Sequence, residues 1–116
     1  MKEEIVKGIL FLKKGKEWKE YYAVFHDSSR TLLLYKGALE FVLRKESKKQ
    51  LSVVGHRVQV VYEEDQGMAN IFQLISPKGD EDSTLFFATV DEDDRHKWCE
   101  AFEEATFDGQ LNVASN

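Results

Sequence analysis

Apolar residues recur along this chain in short runs divided by turn-forming residues, which is the pattern of a β-rich domain. Gly8-Ile9-Leu10-Phe11-Leu12 runs into the basic turn Lys13-Lys14-Gly15-Lys16. Trp18 to His26 is rich in aromatic and β-branched residues and ends at the turn signal Asp27-Ser28-Ser29-Arg30. Thr31-Leu32-Leu33-Leu34-Tyr35 predicts a third strand. Leu51-Ser52-Val53-Val54 ends at Gly55, and Arg57 to Tyr62 alternates with Val58, Val60 and Tyr62 on one face. After the polar loop Glu63 to Ala69, Ile71 to Ser76 predicts a strand stopped by Pro77-Lys78-Gly79-Asp80, and Thr84 to Val90 supplies the seventh. Lys36 to Gln50 fits two patterns. Ala38, Leu39, Val42 and Leu43 suit a helical turn, while Phe41-Val42-Leu43 suits a strand, so a loop with local structure is expected.

One helix follows the strands. Asp91 is a candidate N-cap with Asp94 three residues on, and the run Asp91-Glu92-Asp93-Asp94 suits the positive end of a helix dipole. Trp98, Ala101, Phe102 and Ala105 fall at i, i+3, i+4 and i+7, a single apolar stripe, with Glu100, Glu103 and Glu104 mostly away from it. Trp98 and Phe102 are therefore core anchors. A helix so placed plugs one end of a sheet sandwich or barrel and leaves loops at the other end to bind.

Composition fits a single core: 116 residues, 42% of them apolar, with one Pro. No apolar run approaches the roughly 18 residues a membrane-spanning helix needs, and Met1-Lys2-Glu3-Glu4 has neither a signal-peptide core nor a myristoylation glycine. Cys99 stands alone, so a reducing, cytoplasmic setting is expected. The net charge of −5 is unevenly spread. Residues 1–60 carry 13 Lys/Arg against 7 Asp/Glu, and residues 61–116 carry 3 against 14, which makes a dipolar molecule if the halves form different faces.

Catalysis finds no support. GxxxxGK[ST], GxGxxG, GxSxG and HExxH are all absent, and His26, His56 and His96 are spaced too widely for a local metal site. Cys99, beside Trp98, is expected to be a buried or half-buried thiol. The acidic balance, with pI near 5.2, and the lack of an RNP-like motif argue against nucleic acid as partner. No cofactor is expected.

Taken in order and spacing, the pieces resemble the pleckstrin homology (PH) domain across Ile5 to Phe107. They are Gly8-x-Leu10, Trp18-Lys19-x-x-Tyr22-x-Val24, Leu34-Tyr35, Phe72-x-Leu74, Ala88 and Trp98. The resemblance implies a mainly β fold, a seven-stranded antiparallel sandwich or partly open barrel of two near-orthogonal sheets capped by one C-terminal α-helix. The domain is expected over 1–107, with a flexible tail at 108–116.

The resemblance also implies a non-catalytic recruitment module of a signalling or cytoskeletal protein, a cytoplasmic monomer peripheral at the inner membrane surface. Anionic lipids, phosphoinositides among them, would be met by Lys13, Lys14, Lys16 and Lys19 around the strand 1–strand 2 turn. Tyr35 would donate to a phosphate, and Arg44, Lys45, Lys48 and Lys49 would form a second basic arm. Two positions depart from the family pattern. Leu12 stands where a strand-one Lys is usual, and Tyr21 stands where strand two usually offers a phosphate-pairing Arg. A tyrosine donates one neutral hydrogen bond where Arg donates a charged fork, so the expectation is weak electrostatic contact with lipid. The alternative is a protein–protein adaptor without lipid binding, in which Glu63-Glu64-Asp65 and Asp80-Glu81-Asp82 meet a basic partner.

Overall fold

The computed structural model of the chain describes residues 4–79 and 83–106. The expected tail at 108–116 and the acidic segment Asp80-Glu81-Asp82 lie outside the described residues.

The first hairpin is the longest element of the fold. β1 (Ile5–Lys14) and β2 (Glu17–His26) pair antiparallel from Ile5↔His26 to Lys14↔Glu17. Only Gly15 and Lys16 join them. Gly15 has φ +61°, the positive value that a II′ turn demands at its first central position. β3 (Thr31–Tyr35), β4 (Lys49–Ser52), β5 (Arg57–Val61), β6 (Ile71–Ile75) and β7 (Leu85–Ala88) follow. A short helix α1 (Ala38–Val42) interrupts β3 and β4, and α2 (Glu92–Thr106) comes last. The ambiguous segment at 36–50 thus takes its helical pattern at Ala38–Val42; Phe41-Val42-Leu43 is not a strand, and β4 begins only at Lys49.

All seven strands share one antiparallel sheet, in the order β4-β3-β2-β1-β7-β6-β5, which does not close. The halves expected as two layers are joined by the pairs Phe11↔Ala88 and Leu12↔Phe87 between β1 and β7. The sheet nonetheless wraps one core. Phe25 on β2 and Phe72 on β6 stand three strands apart, about 14 Å in a flat sheet. Both rings reach the Phe102 ring, at 5.0 Å and 5.9 Å between centroids, so the sheet curls around α2. Phe87 and Trp98 complete the cluster at 6.5 Å and 5.6 Å from Phe102.

The helix starts as its sequence requires. The Asp91 carboxylate accepts a hydrogen bond from the Asp94 backbone N–H at 2.8 Å, an N-cap that satisfies one of the orphan donors of the first turn. Trp98, Cys99, Phe102 and Ala105 are buried, while Ala101 is half-buried at the edge of the stripe. Arg95 fastens the same end of the helix to the sheet: Nη1 donates to the carbonyls of Val61 and Ile71 at 3.2 Å and 3.4 Å. Tyr62 departs from the face it was expected to share with Val58 and Val60. It lies beyond the end of β5, 86% exposed, with the Arg95 guanidinium 5.7 Å from its ring centre. Alternation holds only while the strand lasts.

Burial, reinforced by the nearby Glu103 carboxylate and opposed by Arg95, pushes the Cys99 thiol up to about 11. Cys99 should therefore react slowly with thiol reagents at neutral pH and become fully reactive only on unfolding, a difference that timed alkylation with and without denaturant measures. Trp98 is 0% exposed, and Trp98→Ala should cost about 3–5 kcal/mol in denaturant unfolding. Trp98→Phe should cost much less, because among the described residues no acceptor meets the indole N–H.

Candidate functional site

Strand alternation sorts the predicted lysines onto two faces. On β1, Leu10 and Leu12 point into the core, Lys14 continues their file at the mouth, and Lys13 points to the opposite face. There its ammonium lies 2.7 Å from the Asp65 carboxylate and 5.8 Å from the centre of the Phe86 ring. Its cross-strand partner Trp18 donates its indole N–H to the Asp65 carbonyl at 3.1 Å. Lys13 and Trp18 together pin the turn between β5 and β6, where Gln66 and Gly67 have φ +52° and +80°. Lys13 is committed to that turn.

The inward-facing set converges on Tyr21. This residue pairs with Leu10 across the hairpin and is only 1% exposed, yet it lines an open cavity at the surface. Lys14 lies against this side chain and acts on the ionisation of its hydroxyl. The ammonium groups of Lys14 and Lys19 stand 5.7 Å and 5.4 Å from its ring centre, within cation–π range. Lys49, opposite Leu34 on β4, adds positive potential at the same hydroxyl. Beside it lies an open cavity of about 220 Å³ lined by Lys19, Glu20, Tyr21, Lys36 and Lys48. The Lys48 backbone N–H donates to the Leu34 carbonyl at 2.7 Å, which seats that lysine at the rim.

These charges act on the phenol. Burial alone would push Tyr21 up, but the hydrogen bond and charge of Lys14, with the charges of Lys19 and Lys49, outweigh burial and hold it below the usual phenol value. The Lys14 ammonium is raised, chiefly by its hydrogen bond to Tyr21. The site is thus a concentration of positive potential with a polar hydroxyl at its floor. Among the described residues no nucleophile–base pair accompanies it, and such an arrangement can hold an anion.

Other predicted residues stand elsewhere. Tyr35 aligns with Tyr22, one residue out of phase with Tyr21, and so faces the opposite side of the sheet. It is buried there against Phe41 of α1, with ring centres 5.4 Å apart. Lys16 is exposed in the hairpin turn, and Arg44 and Lys45 are exposed just past α1. Lys36 was missed by the sequence reading. Its signal was the alternation of the third strand, which places it two positions after the inward Leu34 and level with Tyr21.

Seven antiparallel strands wrapped around a C-terminal helix, with a basic cavity at the open end, define a PH-type module. The family model for the PH domain matches residues 4–107, and the chain belongs to that family. Among solved structures it is similar to the PH domain of human oxysterol binding protein-related protein 11, at 16% identity and TM-score 0.72 over 89% of this chain and 80% of that one. It is also similar to the C-terminal PH domain of pleckstrin in complex with D-myo-Ins(1,2,3,5,6)P5, at 17% identity and TM-score 0.70 over 91% and 99%. The PH domain of mouse ethanol decreased 4 protein matches at 25% identity and TM-score 0.65 over 87% and 85%. Comparison with curated proteins returns no match. PH domains are in general non-catalytic modules that bind phosphoinositides or proteins, and among the described residues no helix is long and apolar enough to cross a membrane.

The Tyr21–Lys14 contact has a definite pH signature. Stability contributed by the lowered phenol is present above the ordinary phenol value and is lost as pH falls through the folded value. Stability contributed by the raised ammonium is present below the ordinary lysine value and is lost as pH rises through its folded value. Ultraviolet titration should show a tyrosine ionising below the usual phenol value. Lys14→Ala should move that tyrosine back up, and a titration curve unchanged by the substitution would contradict the contact.

Proposed function

We propose that this chain is a non-catalytic recruitment module whose basic cavity takes the clustered phosphates of a phosphoinositide headgroup, placing it at the inner membrane surface. The observation that carries the reading is the convergence of Lys14, Lys19 and Lys49 on the Tyr21 hydroxyl, with Lys36 and Lys48 at the rim. Clustered phosphates need several cationic donors in a concave site, and lysines act there as point charges. The inositol pentakisphosphate in the similar pleckstrin structure supports the same ligand class. Affinity should be modest. The two-residue Gly15-Lys16 turn is too short to fold over a ligand, no arginine fork lines the cavity, and each well-placed lysine contributes only about 1 kcal/mol near an anionic surface.

A second reading rests on the far side of the molecule. β5 is an edge strand, and beside it a groove of about 610 Å³ is lined by Val60, Tyr62 and Cys99, with four acids of α2 (Glu92, Asp93, Glu100 and Glu103) outnumbering Arg95 and His96. That combination suits a basic, extended peptide of a protein partner, the adaptor role.

Amide chemical-shift titration with a soluble inositol polyphosphate should give saturable shifts at Lys14, Lys19, Tyr21, Lys36 and Lys48. Joint Lys19→Glu and Lys49→Glu replacement should abolish them with the fold intact. Lys13→Glu should leave them in place while loosening the β5–β6 turn. Absence of saturable shifts in the unaltered protein would overturn the headgroup reading and leave the adaptor reading standing.

A further inference from the structure

The segment between β3 and β4 exposes more apolar side chain than any fold requirement explains. α1 runs from Ala38 to Val42, and its inner side is held by one ring: Phe41 packs on Tyr22 at 5.6 Å and on Tyr35 at 5.4 Å between centroids, with the Lys7 ammonium 5.6 Å from its own centre. Leu39, Val42 and Leu43, at i, i+3 and i+4, form the other side and are 63%, 69% and 56% exposed. Single exposed leucines are ordinary, but three on one helical face are a patch with a use.

Backbone hydrogen bonds define the termination of α1. The Lys45 backbone N–H donates to the Glu40 carbonyl at 2.8 Å and the Arg44 N–H to the Phe41 carbonyl at 3.0 Å, the paired bonds of a Schellman motif. Arg44 occupies its left-handed position at φ +60°, where glycine would be unstrained. The chain thus holds a cation at the place that ordinarily prefers glycine. Arg44 and Lys45 stand directly beside the apolar face. The segment also springs from the rim of the basic cavity: Lys36 lies one residue before Gly37, the α1 N-cap, and Lys48, two residues after Glu46, lines the same cavity.

We propose that the outer face of α1, formed by Leu39, Val42 and Leu43, inserts into the interfacial region of an anionic lipid bilayer. Arg44 and Lys45, which follow that face in the chain and are exposed, meet its headgroups. The charge argues for this occupant. An apolar face followed by the exposed cations Arg44 and Lys45, with Glu40 and Glu46 the acids of the same segment, matches a surface that is hydrocarbon below and negative above, whereas a purely apolar partner would leave those cations unpaired. This rests on the same membrane as the proposed function but on different side chains, and it adds a salt-resistant component that lysines alone do not supply.

The test joins a depth probe to two binding readouts. Leu39→Cys carries an environment-sensitive fluorophore, and the buried, raised Cys99 thiol stays unlabelled. With vesicles of phosphatidylcholine and phosphatidylserine doped with a polyphosphoinositide, the fluorescence should shift to the blue and be quenched by lipids brominated on their chains. Joint Leu39→Ser and Val42→Ser replacement, at exposed positions that leave the melting temperature unchanged, should weaken vesicle binding by roughly tenfold or more. The same variant should leave binding of soluble inositol polyphosphate as it was. A probe that stays in water on bound vesicles, or unchanged vesicle binding by the double variant, would overturn the insertion and leave the headgroup cavity standing. Quenching in a protein that binds no soluble headgroup would do the reverse. Loss of self-association by the double variant, without loss of vesicle binding, would assign the face to a second copy of this chain instead.

Discussion

Everything in this molecule depends on the Phe102 ring. Rings from β2, β6, β7 and the preceding turn of α2 all converge on it. Only two residue pairs join the halves of the sheet at β1 and β7, so backbone hydrogen bonds alone would leave them free to splay. Aromatic contact at the centre does what that junction does not, because burying such rings together removes far more apolar surface than two ladder rungs stabilise. The curl that results leaves one end of the sheet plugged by α2 and the other open, with Tyr21 at its floor.

The period of two along a strand then decides which charges work together. Lys13 and Lys14 are neighbours in sequence and opposites in space: one fastens the β5–β6 turn through Asp65, the other meets the Tyr21 hydroxyl. The same parity separates Tyr21 from Tyr22 and Lys36 from Tyr35. A basic cluster read as a run therefore divides into a lysine tied to Asp65 and a set facing Tyr21, which Lys36, just past β3, and Lys49 of β4 join.

Much of this was legible from residues alone. Seven strands, the Asp91 cap and the burial of Trp98 and Phe102 follow from periodicities that the local chain fully specifies, as does the PH family itself from the order of its pieces. The site was legible only in part. Strand register is a tertiary quantity, and without it the sequence could not tell which lysines share a face or that Tyr35 is covered by Phe41. Tyr21 looked like the loss of a cation. In the fold it is a buried hydroxyl to which cations from β1, β2 and β4 are directed. Residues 36–50 resisted because five helical residues are too few to show a period, and their helix leans on tertiary docking of the Phe41 ring against the sheet.

That docking has an evolutionary corollary. The excursion from Gly37 to Ser47 touches the rest of the protein chiefly through Phe41, and both its ends are fixed by β3 and β4. Its outer residues bear no share of the core, and lengthening a surface loop raises its closure cost only slowly. Substitutions or insertions there would change the chemistry of an exposed surface at little cost to the core. The segment is a graftable cassette, on which a lineage could vary contact chemistry without renegotiating the scaffold.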